Sequence, residues 1–264
     1  MNAIVTAGGT AQAGEPLYDL TQGGLKAMID IAGQPMVQWV LDALSEATCI
    51  EQVVVVGLSP ETDLMCRHPL TLVPDQGDVV FNIRAGAREV ARLDPHATHG
   101  MLVSGDLPAL RGEMIDWLAE QTQDSDYDIG YTVIERATME KTFSGSKRTF
   151  IHLKDSEVCG GDLHAFRLQI AMDDNPLWKR LIDARKSPLR QASMLGYDTV
   201  FFLMLRQLSL NHAIATVSKR LGIQGRAILS PYAEIGMDVD KPFQLEMMRH
   251  YLASRQEKDA AAAE

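Results

Sequence analysis

The stretch AIVTAGGT at residues 3–10 sets an apolar run directly against two glycines. A short apolar run stopped by Gly-Gly reads as a buried strand over residues 2–6 that ends in a tight loop. In an α/β sheet the ligand crevice opens at the carboxyl ends of the strands, which is where this loop falls. Glycine there lets backbone amides approach phosphate oxygens closely. By itself the pattern says no more than a strand-to-loop turn. It matches neither the dinucleotide fingerprint GxGxxG nor the phosphate loop GxxxxGK[ST].

Outward from this stretch, further strands are predicted over 52–57, 70–73, 100–104 and 128–134. The helical spacing of MVQWVLDALSEA at 36–47 puts Val37, Val40, Leu41 and Leu44 on one face. FNIRAGAREVARL at 81–93 and GEMIDWLAEQ at 112–121 read as the next helices, each preceding a strand as a crossover requires. This rhythm predicts an α/β fold: a Rossmann-like, mostly parallel sheet flanked by helices, in a single domain over 1–256. The rhythm breaks over 136–164, a polar stretch with strand-like TFIHLK at 149–154, expected as a small inserted β/loop region over the sheet, where substrate contacts usually sit. Residues 165–222 read as a helical segment punctuated by Pro176 and Pro188 and holding a buried helix at 199–210. RAILS at 226–230 returns to strand, 240–256 makes a last helix, and 257–264 is expected as a frayed tail.

A formal net charge of -10 argues against nucleic-acid and anionic-membrane partners, which need a basic surface. The most apolar later stretch, at 199–210, is too short for a membrane span and carries Arg206, so no integral membrane association is expected. Cys49, Cys66 and Cys159 are odd in number and widely spaced, which suits neither a disulfide framework nor a zinc site. Residues 2–7 read as core strand rather than as a signal segment, so a cytoplasmic protein is expected.

Three further stretches carry chemistry. LVSGDLPAL at 102–110 ends an apolar strand on Asp106, where a carboxylate can ligate a hard cation bridging phosphate oxygens. The competing role, capping the helix near 112, fits poorly because Arg111 and Gly112 intervene. In IGMDVDKPFQLEMM at 235–248, residues two apart in an extended segment face one side, so Asp238 and Asp240 can look into one site. Asp240 can instead cap the helix that has Pro242 in its first turn. In FSGSKRTFIHLKDSEVCGGDLHAF at 143–166, the adjacent bases Lys147 and Arg148 suit an acceptor phosphate or form a solvated pair. His152 and His164 lack metal-ligand spacing.

AIVTAGGT, then Lys26, then Ile31-Ala32-Gly33-Gln34-Pro35-Met36 resembles the opening of the MobA-like NTP transferases, nucleotidyltransferases of the glycosyltransferase-A-like fold. The resemblance implies that Ala7, Gly8, Gly9 and Thr10 cradle an NTP and that Lys26 neutralises its β- and γ-phosphates. It makes Asp106 and Asp240 ligands of Mg²⁺, with Lys26 and Asp106 the catalytic pair. PDQGDVVFNIRAG at 74–86 is similar to the family's base- and ribose-recognition stretch, which implies that Gly77 and Asn82 meet the nucleotide; Asn82 can equally contact the acceptor or be a satisfied asparagine at a helix N-terminus. Gly161 and Asp162 stand where some members carry Gly-Gly-Asn, which with Lys147 and Arg148 implies acceptor binding. Many members carry Arg-Met-Gly in the first loop, whereas residues 11–25 here hold no basic residue.

The implied reaction transfers NMP from an NTP to a phosphorylated small-molecule acceptor and releases pyrophosphate. An acceptor phosphate is already anionic, so no catalytic histidine is assigned. The alternatives are a glycosyltransferase of the same fold and a catalytically silent nucleotide-binding protein.

Overall fold

A computed structural model describes residues 1–123, 126–172 and 206–263. Strand β1 (Asn2–Thr6) lies inside a nine-stranded sheet, parallel to both β4 (Gln52–Val56) and β6 (His99–Ser104). Val53, Val54, Val55 and Val56 are all fully buried, because helices cover both faces of the sheet and such strands read as continuous apolar runs. On one side β5 (Leu70–Val73) continues the parallel order. On the other, β10 (Leu163–Arg167) enters antiparallel between β6 and β7 (Ile129–Glu135). Strand β9 (Glu157–Gly160) pairs with β7 just ahead of β10, and the two-residue β8 (Ile151–His152) pairs with β9. Beyond β7, β11 (Gly225–Ser230) is parallel to it.

Helix α2 (Met36–Glu46) buries Val37, Val40, Leu41 and Leu44, the face its spacing predicts. They pack with Met114, Ile115 and Leu118 of α4 (Gly112–Thr122) in one cluster. Each such side chain contributes roughly 1.5–3 kcal/mol by leaving water. The opposite face is covered by α3 (Val79–Leu93), where a Cβ at Gly86 would lie 2.4 Å from Ile4 Cγ2. Gly86 is therefore a packing glycine that lets α3 approach β1.

Several expectations change. The stretch over 136–164 is more regular than its polar composition suggests: α5 (Arg136–Thr142) opens it and β9 joins the main sheet rather than lying over it. The expected helical segment 165–222 begins as strand, because Ala165 and Phe166 are buried between β6 and β7 and complete the ladder there. Helices α6 (Leu168–Met172) and α7 (Leu210–Leu221) do follow. Pro176, Pro188 and residues 199–205 of the expected buried helix lie outside the described residues. The last helix, α8 (Pro242–Ala263), runs through the alanine-rich stretch where a frayed tail was expected, in keeping with alanine's helix propensity. Among the described residues no helix is long and apolar enough to cross a membrane.

The segment between β1 and α2 holds a small hairpin of β2 (Asp30–Ile31) and β3 (Gln34–Pro35). Its two turn residues, Ala32 and Gly33, have φ of 53° and 91°. Such a turn wants Asn-Gly, and alanine is strained in the left-handed region. Ala32→Asn is expected to raise unfolding free energy by about 0.5–1 kcal/mol in urea titrations; no gain would contradict the turn assignment.

His164 stacks on Tyr131 with ring centroids 4.4 Å apart, and its Nδ1 accepts the Thr132 N–H at 3.2 Å. Burial pushes this imidazole down to about 4, so it is neutral when folded. As pH falls from about 6.5, the unfolded chain takes up a proton that the folded chain refuses, and stability declines. His164→Gln is expected to flatten that decline between about pH 6.5 and 4; an unchanged slope in acid unfolding curves would contradict it.

Candidate active site

The glycine loop is closed at its base by the chain itself. The Lys26 N–H donates to the Gly9 carbonyl at 2.8 Å, and Thr10 forms an antiparallel bridge with Leu25. Lys26 is thereby delivered beside Gly9, where an added Cβ would be 3.3 Å from Lys26 Cε. Gly57, at φ +115°, backs the loop so closely that a Cβ there would fall 2.1 Å from Gly8 N. Ala7 is buried, with its N–H on the Val56 carbonyl at 2.8 Å.

Gly8, Gly9, Thr10, Lys26, Gly77, Asn82 and Asp106 line one cleft of about 480 Å³. The structure thus brings the two ends of the predicted constellation together. Among the described residues lining the cleft, Lys26 is the one cation. Asn82 is buried and already engaged: its Nδ2 donates to Asp75 Oδ1 at 2.7 Å and its Oδ1 accepts the Gln76 N–H at 2.7 Å. It therefore shapes the loop at 74–78 and reaches the cleft through that shape. Asp75 and Asp78, which sequence reasoning did not single out, line the same cleft. Asp78 caps α3 through the Val80 N–H at 2.9 Å, a role readable from an aspartate just ahead of an apolar helix. Asp75 had no signal beyond belonging to a turn.

Asp106 leaves the end of β6 with its Oδ1 accepting from Ser104 Oγ at 2.5 Å. Its backbone carbonyl accepts the Val239 N–H at 3.1 Å, which ties it to the second aspartate segment. Asp106, Asp238 and Asp240 each offer an oxygen within 4.8 Å of the others. Desolvation, and then the Asp240 charge, hold the Asp106 carboxyl above its ordinary range against the opposing Ser104 hydrogen bond and Lys26 charge. An all-carboxylate set suits a hard divalent cation. Helix α4 begins at Arg111 as N-cap, without a side-chain cap, so Asp106 has no capping role.

Asp240 keeps its backbone and its carboxylate on different partners. Its N–H donates to Gln244 Oε1 at 3.0 Å, while its Oδ1 accepts from Lys26 Nζ at 2.7 Å. Burial alone would lower the Lys26 ammonium; the Asp240 hydrogen bond and the charges of Asp240, Asp106 and Glu15 outweigh it and hold the group above its ordinary value.

The residues expected on the acceptor side are arranged differently from the shared clamp that adjacency suggested. Arg148 Nη1 pairs with Asp238 Oδ1, and its Nη2 donates to the Gly160 carbonyl at 3.3 Å and lies 3.8 Å from Asp162 Oδ2. Lys147, at φ 53°, turns away and places Nζ 5.2 Å from the Phe243 ring centroid. Gly161 is needed by packing, since a Cβ would meet Thr132 Oγ1 at 2.4 Å. Asp162 lies beside the end of β6, its carbonyl accepting the Ser104 N–H at 2.9 Å. Burial and the Asp106 charge push its carboxyl up to about 7, against the Arg148 cation.

Comparison with known proteins places this geometry. The MobA-like NTP transferase domain matches residues 3–187. A hypothetical transferase from Thermus thermophilus is 30% identical with a TM-score of 0.80, covering 92% of this chain and 98% of its own. A CMP:2-keto-3-deoxy-manno-octonic acid synthetase complexed with CTP shares the fold at 16% identity and TM-score 0.57, over 96% of this chain and 98% of its own. So does 4-diphosphocytidyl-2C-methyl-D-erythritol synthase from Anaerococcus prevotii, at 12% identity and TM-score 0.54, over 96% and 97%. No curated protein matches the sequence significantly. With most of the chain matched and the glycine loop, Lys26 and the aspartates gathered at the carboxyl ends of the sheet, the chain belongs to the MobA-like NTP transferase family.

Proposed function

We propose that this chain is a magnesium-dependent nucleotidyltransferase that moves NMP from an NTP onto a phosphorylated small-molecule acceptor and releases pyrophosphate. The observation that carries the reading is that Lys26 and Asp106 line one cleft with the glycine loop while Lys26 bonds Asp240 of the carboxylate trio, so a phosphate cradle and a cation-holding set adjoin through these two residues. Family membership supports it, as do two proteins of this fold whose names specify cytidylyl products.

In this reading the backbone amides of the loop from Ala7 through Thr10 receive phosphate oxygens and Lys26 neutralises the outer phosphates. Gly77 and Asn82 hold the far wall of the nucleotide cleft. Asp106 and Asp240 hold Mg²⁺, which when bound supplies charge neutralisation at the reacting phosphate and the leaving pyrophosphate. An acceptor phosphate reaches the α-phosphorus as an anion, so positioning replaces base catalysis. The histidines fit that economy: desolvation holds His164 neutral, and His152 is paired with Glu157. Gly161, Asp162 and Arg148 line the acceptor side, with Lys147 at its rim, in a cytoplasmic enzyme. A glycosyltransferase with a nucleotide-sugar has less use for a lysine at this loop, because a triphosphate brings the extra charge that Lys26 answers.

Incubation with each of the common NTPs, Mg²⁺ and a panel of phosphorylated acceptors should release pyrophosphate for at least one pairing. Asp106→Ala should cut that rate at least about 100-fold with an unchanged melting temperature. Nucleotide binding without pyrophosphate release from any pairing would instead support a silent binding protein.

A further inference from the structure

Lys26 and Asp240 are assigned above to different ligands, yet they are bonded to each other at 2.7 Å. We infer that this ion pair couples the two binding events: a divalent cation taken by Asp240 releases the Lys26 ammonium to the triphosphate, and a triphosphate that draws Lys26 away opens Asp240 to the cation. The inference rests on the nucleotidyltransferase reading and adds a device to it.

The backbone on both sides is fixed, so the exchange needs side-chain movement only. The Lys26 N–H is held by Gly9, the Asp240 N–H by Gln244, and the preceding Val239 N–H by the Asp106 carbonyl. Lys26 Cε already lies against Gly9, so rotation of the terminal bonds swings the ammonium between Asp240 and the glycine loop. The pair is also weak enough to exchange. The side chains are 23% and 51% exposed, and ion pairs of that exposure shift an equilibrium only about two- to fivefold. A cation bound by Asp240 together with Asp106 outcompetes it, whereas a fully buried pair would lock the site.

The arrangement also offsets part of the charge through side chains alone. Asp240 is matched by Lys26 and Asp238 by Arg148, leaving Asp106 with the Ser104 hydroxyl. Because coupling between sites is reciprocal, the device raises the cation affinity of the nucleotide-bound protein and the nucleotide affinity of the cation-bound protein by the same factor.

The test is Mn²⁺ affinity without nucleotide, read as free Mn²⁺ by electron paramagnetic resonance, on wild type, Lys26→Met, Lys241→Met and Asp240→Asn. Lys241 is an exposed neighbour of Asp240 and controls for loss of one positive charge. Lys26→Met should bind Mn²⁺ about fivefold more tightly than wild type, Lys241→Met should stay within about twofold, and Asp240→Asn should bind more weakly. Lys26→Gln repeats the measurement should the methionine variant lose its thermal transition. Equal or weaker affinity in the Lys26 variants, or equal tightening in Lys241→Met, would overturn the coupling and leave the metal reading standing. Wild type that takes up no Mn²⁺ with or without NTP, or Asp240→Asn that binds as wild type does, would overturn the metal reading itself.

Discussion

Four carboxylates, Asp106, Asp162, Asp238 and Asp240, meet two cations, Lys26 and Arg148, at the carboxyl ends of the sheet. Two like charges 4.8 Å apart repel by about 3 kcal/mol at the effective dielectric of a protein site. Desolvation first, and then that repulsion, raises the Asp106 and Asp162 carboxyls, and the lysine on Asp240 and the arginine on Asp238 offset part of the negative charge. In the proposed reading a divalent ion would relieve what two monovalent side chains leave over.

The fold holds this charge in place through backbone. The Val239 N–H on the Asp106 carbonyl and the Ser104 N–H on the Asp162 carbonyl tie three distant chain segments at the mouth of β6. Because these ties use main-chain groups, every carboxylate stays available. The same economy governs the glycine loop, where Lys26 closes the turn with its N–H and keeps its ammonium for the cleft. Local structure thus supplies the frame and the side chains are left for ligands.

Much of this was legible in the sequence, for reasons that differ by residue. AIVTAGGT announced β1 because a strand buried on both faces is a continuous apolar run, and the α2 face followed from helical spacing. The places of Asp106, just past an apolar strand, and of Asp240, just ahead of a helix with Pro242 at its start, were legible, while their part as ligands was implied by the family resemblance alone. Strand β10 was not legible: its partners β6 and β7 are remote in sequence, so ladder completion overrode the local helical appearance of 165–167. The pairing of Arg148 with Asp238, and the turn of Lys147 towards Phe243, depend on tertiary approach that adjacency in sequence cannot encode. Asn82 read equally as a ligand contact or as a satisfied asparagine at a helix N-terminus, and its bonds to Asp75 and Gln76 appear only in the folded loop.

The central claim is that one cleft holds a cation between Asp106 and Asp240 and an NTP on the glycine loop. Crystals grown with Mn²⁺ and a non-hydrolysable NTP analogue test it directly through the manganese anomalous signal. The account predicts an anomalous peak within ligand distance of both carboxylates, the analogue's triphosphate against Gly8 and Gly9, and Lys26 turned from Asp240 to the phosphates. A triphosphate bound elsewhere, or manganese away from Asp106 and Asp240 while the analogue fills the cleft, would contradict it.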